Sequence, residues 1–285
     1  MTWEEIASLE APAADARIAY GAEAPQFGDL RLPWGAGPHP LAIVVHGGCW
    51  RAANDLEHVA PLAAALGRLG VATWTLEYRR IGDPGGGWTG TFDDVAAGVE
   101  FVRTLARRHP LDLARAILLG HSAGGHLALW LAGRGKLPAQ SPLASRSPGS
   151  AAPPAGNPRA AAPLRLRGVV ALAAIGDLGA YAEGRGYCPE SVAPLLGGAR
   201  AEVPERYAQA SPSELLPLGL PFHLVHGALD RIVPVEQSVK LAERARARGD
   251  DASLRVIDAA GHFDLIAPFA PAWAAVEQAV LALLA

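Results

Sequence analysis

The chain has 285 residues, of which 50% are hydrophobic and 19% are charged, and its formal net charge is −3. This length is enough for one large α/β domain with a sizeable core or for two small ones. The mild acidity without a basic patch argues against nucleic acid as a partner. No apolar stretch approaches the ~18 uncharged residues of a membrane span, and the first residues show no export signal, so we expect a cytoplasmic protein.

Hydrophobic periodicity predicts strands that alternate with helices along the chain. Thr2 and Glu5 suggest a capping box that begins a short amphipathic helix through Leu9. An early strand is predicted at 26–32, with antiparallel pairing as an option. This alternation is typical of an α/β fold with a mostly parallel sheet of about eight strands and helices on both faces. Further strands are predicted at 41–45, 71–76, 116–119, 169–173, 222–225 and 254–257, and helices near 56–69, 91–108, 123–133, 234–248 and 268–284.

The pattern Gly-His-Ser-Ala-Gly at 120–124 connects the strand at 116–119 to the helix at 123–133. It fits the G-x-S-x-G nucleophile elbow, a sharp turn that exposes a serine above a sheet. Glycine is needed there because neighbouring segments pass too close for a Cβ atom. Ser122 is therefore the candidate nucleophile, and a small residue in a tight turn is the alternative interpretation.

A serine hydroxyl needs a neighbouring base to remove its proton. His262 is the candidate base, because it follows the last predicted strand in a turn that contains glycine. Asp230, which follows the strand at 222–225, is the preferred acid to orient that histidine. The order Ser, Asp, His, with each residue at the end of its own strand, is the order of α/β-hydrolase triads. The alternative acids are Asp177, Asp258 and Asp264.

The segment His-Gly-Gly-Cys-Trp at 46–50 directly follows the strand at 41–45. Acyl transfer places negative charge on a carbonyl oxygen, which preorganised backbone N–H groups stabilise. We expect the amides of Gly48, Cys49 and Ala123 to form this oxyanion hole, and a plain glycine turn is the alternative. No spacing of His, Asp or Glu indicates a metal site, and no cofactor is expected.

Two cysteines and two irregular segments complete the prediction for a single domain of residues 1–285. We expect Cys49 and Cys188 to be free thiols, with a bridge between them as the alternative.

Segment 136–163 is rich in Pro, Ala, Ser and Gly and has almost no large apolar residues, which predicts a flexible insertion. Segment 177–221 carries apolar anchors after the next strand, and we expect it to form a small lid over the active site.

The motifs at 46–50 and 120–127 resemble those of the HGGxW branch of the α/β-hydrolase superfamily. This branch includes carboxylesterases, feruloyl and acetyl-xylan esterases and kynurenine formamidases, and the strand order extends the resemblance over nearly the whole chain. The hormone-sensitive-lipase branch fits less well, because Cys49 and His121 stand where it usually has a third glycine and an aspartate. The resemblance implies an α/β-hydrolase fold and a serine hydrolase that needs no metal.

The leading hypothesis is hydrolysis of small carboxylic esters through an acyl-enzyme intermediate. The alternatives are an arylformamidase acting on N-formylkynurenine and a non-catalytic binding protein on a hydrolase scaffold. The expected partner is thus a small ester or aryl formamide, and assembly as a homodimer stays open. Four aromatic residues are candidates for the substrate pocket, each with core packing as the alternative: Trp50, Trp88, Tyr181 and Tyr187.

Overall fold

An eight-stranded sheet runs through the residues that the structure describes, which are 1–144 and 164–285 of this computed structural model. Its strands are β1 (Ala16–Ala19), β2 (Phe27–Arg31), β3 (His39–Val45), β4 (Ala72–Leu76), β5 (Leu111–His121), β6 (Val169–Leu172), β7 (Phe222–Gly227) and β8 (Ala252–Ile257). They lie in the order β1-β2-β4-β3-β5-β6-β7-β8. The pairs β1–β2 and β2–β4 are antiparallel and the others are parallel. This confirms the predicted sheet and leaves β1 as the strand that was not predicted.

Alternation along the central strand β3 separates two hydrophobic cores, one on each face of the sheet. Leu41, Ile43 and Val45 belong to one buried cluster. Ala42 and Val44 belong to the other. Successive side chains of a strand point to opposite faces, and a parallel strand covered on both faces is apolar throughout. The continuous hydrophobic run is therefore what places β3 in the middle of the sheet.

Helices cover both faces of the sheet, as predicted. The α-helices of the described residues are α1 (Trp3–Ala7), α2 (Ala60–Arg68), α3 (Gly90–Glu100), α4 (Val102–Leu105), α5 (Ala123–Gly133), α6 (Leu178–Ala182), α7 (Val192–Leu196), α8 (Pro204–Ala210), α9 (Glu236–Ala247) and α10 (Trp273–Leu284). Buried residues of α2 and α10 share the cluster of Val44, whereas those of α3, α5 and α9 share the cluster of Ile43. Among these helices, none has both the length and the hydropathy that crossing a bilayer requires.

The first helix, α1, begins at the predicted capping box. Glu5 N donates to Thr2 Oγ1 over 3.3 Å, and Thr2 N donates to Glu5 Oε2 over 2.7 Å, so the pair satisfies two amides at the helix start. The helix ends at Ala7, before the predicted Leu9. Ile6 is fully buried in the second core and fixes α1 against the domain.

Part of the predicted insertion packs against the domain. Leu137 and Leu143 are buried in the core, and Ser141 Oγ lies 2.6 Å from Gln209 Oε1. Residues 136–144 therefore differ from the predicted flexible segment, because two leucines anchor a stretch that is otherwise polar and small. The rest of that segment lies outside the described residues.

Candidate active site

The three candidate catalytic residues follow three strands of the sheet at the same edge. Ser122 follows β5, Asp230 comes shortly after β7, and His262 comes shortly after β8. Because these strands are parallel, their carboxyl ends meet at one edge, where open α/β sheets bind their ligands. The topology therefore gathers side chains that are far apart in sequence.

Ser122 occupies a strained turn between β5 and α5. Its φ of 56° lies in the left-handed region, which non-glycine residues rarely adopt. A Cβ atom at Gly120 would collide with the carbonyl of Gly124, and one at Gly124 would collide with the carbonyl of Val45. Ser122 N donates to Leu172 O over 2.8 Å and fixes the turn to β6. The two glycines of the motif are thus required by close backbone contacts.

Asp230 holds the ring of His262. His262 Nδ1 lies 2.7 Å from Asp230 Oδ2, and Asp230 Oδ1 accepts hydrogen bonds from the amides of Ile232 and Val233. Burial opposes ionisation of this carboxyl, but hydrogen bonds from His226 and His262 outweigh it and hold the pKa of Asp230 well below its usual range. A carboxylate can only accept, so Nδ1 carries the proton and Nε2 is free to accept another.

Ser122 and His262 line the same cleft, which has a volume of about 680 Å³. Within the described residues, however, Ser122 Oγ forms no hydrogen bond, including to His262 Nε2. Such bonds are often long before substrate binds and shorten in the reactive complex. The arrangement can therefore support proton transfer once the serine and the ring close on a substrate.

The loop at 46–50 passes directly against the elbow. A Cβ atom at Gly47 would lie 3.1 Å from Ser122 Cβ. Gly48 and Cys49 both line the cleft, and their amides donate to no acceptor among the residues that the structure describes. Ala123 is the first residue of α5, a position whose amide has no partner within a helix. The amides of Gly48 and Cys49 are therefore available to a ligand in the cleft, and the oxyanion hole that they would form with Ala123 stays a prediction.

A buried polar network supports this loop and was not predicted from the sequence. Glu77 Oε1 lies 3.0 Å from His46 Nε2 and 3.0 Å from an Arg80 guanidinium nitrogen, while Oε2 accepts from Leu56 N. Tyr78 donates its hydroxyl to the carbonyl of His46 over 2.8 Å. The available signal was a glutamate directly after β4, a strand whose residues are all buried, where a charge persists only with partners.

The aromatic residues proposed for the pocket are placed differently. Trp50 is fully buried and packs edge-on against His126. Trp88 is half-buried beneath the guanidinium of Arg206, and Tyr181 is buried in the core. Among these four, Tyr187 alone lines the cleft, and it is 70% exposed. Segment 177–221 contributes this tyrosine to the site, and its role as a lid stays a prediction.

The cleft also has a wall that was not predicted. The ring of Trp3, on α1, lies 5.2 Å from that of His58 and 5.7 Å from that of Phe263, and all three residues line the cleft. Leu229 and Arg231 lie on the rim beside Asp230. No local pattern connects an N-terminal tryptophan to a site at the far end of the chain.

The cysteines form a disulfide, so the prediction of free thiols was wrong. Cys49 and Cys188 are 139 residues apart in sequence, and their Cα atoms are 6.0 Å apart. The fold brings the loop after β3 against segment 177–221, which places the two side chains within bonding distance. In the described part of the chain, no three or more His, Cys, Asp or Glu side chains lie together in a group that could hold a metal ion.

Comparison with known proteins supports the fold. The model of the BD-FAE family matches residues 29–245. Among curated proteins, none matches this sequence significantly. A truncated carbohydrate esterase from gut microbiota is 22% identical, with a TM-score of 0.78 over 96% of this chain and 99% of that one.

Two further solved structures share the architecture. Esterase B from Lactobacillus rhamnosis HN001 is 19% identical, with a TM-score of 0.77 over 99% of this chain and 90% of that one. An acetyl ester-xyloside bifunctional hydrolase from Caldicellulosiruptor lactoaceticus is 20% identical, with a TM-score of 0.67 over 95% of each chain. At these identities the likeness shows a common fold.

Proposed function

The chain belongs to the BD-FAE family and has an α/β-hydrolase fold, and from this premise we propose that it is a serine hydrolase of small carboxylic esters. The observation that carries the proposal is the 2.7 Å contact between the ionised Asp230 and His262 Nδ1, in a cleft that also holds the strained Ser122. The similar solved structures are themselves esterases, which favours an ester over a formamide.

In this mechanism Ser122 Oγ attacks the ester carbonyl while His262 Nε2 takes the hydroxyl proton. The oxyanion of the tetrahedral intermediate accepts hydrogen bonds from the amides of Gly48, Cys49 and Ala123. His262 then protonates the leaving alcohol, the ester bond breaks, and an acyl group stays on the serine. Water, activated by the same histidine, releases the acid, and Asp230 stabilises the imidazolium in both steps.

The cleft supports a substrate of modest size. Its volume of about 680 Å³ falls within the range of small-molecule sites. Trp3, Phe263, Tyr187 and Leu229 provide apolar contacts around it, and Arg231 provides a charge at the rim. These surroundings fit an ester with a short acyl or aryl group.

The test is a panel of p-nitrophenyl esters from acetate upwards, measured beside N-formylkynurenine. We expect ester turnover by the native protein and its loss in Ser122→Ala, with the circular dichroism spectrum unchanged. A fluorophosphonate should label the native protein at Ser122, and Ser8→Ala is the matched control that should keep both activity and labelling. Activity that survives in Ser122→Ala would refute the mechanism, and preferred turnover of N-formylkynurenine would identify an arylformamidase instead.

A further inference from the structure

We propose that residues 188–191, here called the clamp, position the oxyanion-hole loop for catalysis and that the Cys49–Cys188 disulfide is the covalent part of this device. The inference rests on the proposed function, because it concerns the amides that stabilise the oxyanion. Cys188, Glu190 and Ser191 then act as positioning residues, since none of them contacts the reacting atoms.

The loop needs support because its backbone is unfavourable. Gly48, Cys49 and Trp50 follow one another with φ values of 100°, 56° and 56°. The left-handed region suits glycine, whereas a residue with a side chain stays there only where its surroundings hold it. Cys49 carries one proposed oxyanion donor in this conformation, so its amide direction depends on whatever holds the loop.

The clamp contacts the loop at Cys49 and the residue that follows the loop, Arg51. Cys49 is bonded to Cys188. Arg51 Nε donates to Ser191 Oγ over 2.8 Å, and its terminal nitrogen donates to Glu190 Oε1 over 2.5 Å. A covalent bond and two side-chain hydrogen bonds therefore converge on the segment that includes the strained Cys49.

The clamp is in turn joined to the loop that carries the catalytic acid. Cys188 N donates to the hydroxyl oxygen of Tyr181, and that hydroxyl donates to the carbonyl of Ile232 over 3.2 Å. The amide of Ile232 donates to Asp230 Oδ1 over 2.8 Å. Tyr181 is buried in this chain of contacts, so its place is between the acid loop and the clamp.

Loss of the disulfide should affect the transition state more than substrate binding. The oxyanion forms only after attack, so a displaced Cys49 amide lowers kcat while KM stays nearly constant. Reduction is a two-electron step: a dithiol such as dithiothreitol supplies two electrons and two protons, leaves thiols at Cys49 and Cys188, and becomes its own cyclic disulfide.

The experiment compares the native protein with Cys188→Ser, and uses Leu137→Ala, a core substitution away from the loop, as a control for lost stability. We expect Cys188→Ser to lower kcat on p-nitrophenyl acetate by about 10- to 100-fold, less than deletion of an oxyanion donor, with KM changed by less than about twofold. The inhibition constant of a trifluoromethyl ketone, whose adduct carries an oxyanion, should rise by a similar factor. At a temperature well below the melting temperature of the variant, Leu137→Ala should leave both kcat and this inhibition constant unchanged.

Dithiothreitol supplies a second measurement that needs no substitution. It should lower kcat of the native protein, reoxidation with oxidised glutathione should restore it, and Cys188→Ser should respond to neither reagent. Two results would overturn the inference, provided that the native protein still reacts with fluorophosphonate at Ser122. One is a folded Cys188→Ser variant whose kcat equals that of the native protein. The other is a Leu137→Ala variant whose kcat falls as much as that of Cys188→Ser. If Cys188→Ser does not fold, an unchanged kcat in fully reduced, folded native protein overturns it instead. Absence of labelling in the native protein would mean that the proposed function itself has failed.

Discussion

Acid should destabilise this protein because His126, in α5, is buried in its neutral form. Its ring packs against Trp50 and Phe92, and its Nε2 lies 2.9 Å from the carbonyl oxygen of Ala210. Burial lowers the pKa of His126 to about 4, from an ordinary value of 6.5 in the unfolded chain. Between these values only the unfolded chain binds the proton, so the free energy of unfolding falls as the pH falls. The slope of about 1.4 kcal/mol per pH unit gives a loss of about 3 kcal/mol across the window.

The substitution His126→Phe keeps an aromatic ring and removes the titrating group. It should lower the free energy of unfolding by about 1 kcal/mol at pH 7, where only the hydrogen bond to Ala210 is lost. At a pH of about 4.5 it should be more stable than the native protein, because it no longer takes up this proton on unfolding. Urea unfolding followed by tryptophan fluorescence measures both values, with the disulfide kept oxidised.

Phe92→Leu is the matched control, since it changes the same cluster without a titratable group. Its free energy of unfolding should differ from that of the native protein by the same amount at every pH. If the free energy of unfolding of His126→Phe also changes with pH as that of the native protein does, between pH values of about 4.5 and 7, the neutral buried histidine is not a source of acid sensitivity.

Four further substitutions test the site and the core. Asp230→Asn should fold and lower kcat by up to about 10⁴-fold, because an amide no longer fixes the tautomer of His262; a nearly native kcat would exclude Asp230 as the acid. Tyr187→Ala should raise KM for long acyl chains more than for acetate, whereas Tyr181→Ala should lower the melting temperature; native KM values across the panel would place Tyr187 outside the pocket. Leu143→Ala should lower the free energy of unfolding by about 2–5 kcal/mol, and an unchanged urea midpoint would contradict its burial.

The sheet and the elbow were predictable because their signals are local. Residues 41–45 of β3 are all apolar because both faces of the sheet are covered there, and this appears as a continuous run in the sequence. The glycines around Ser122 stand where the backbone passes too close for a Cβ atom. The edge strand β1 escaped prediction because Ala16–Ala19 is only four residues long, alternates partly buried with exposed residues and contains one large apolar side chain, that of Ile18.

The sequence by itself identified the candidate catalytic residues and the strand that each one follows, since parallel strands bring their carboxyl ends to one edge wherever such a sheet forms. Only the tertiary structure decided that Cys49 joins Cys188, that Trp50 is buried while Tyr187 lines the cleft, and that Trp3 forms a wall of the site. These outcomes depend on contacts between residues far apart in the chain. Short-range hydrophobic periodicity carries no record of such contacts, because each is set by how whole elements pack.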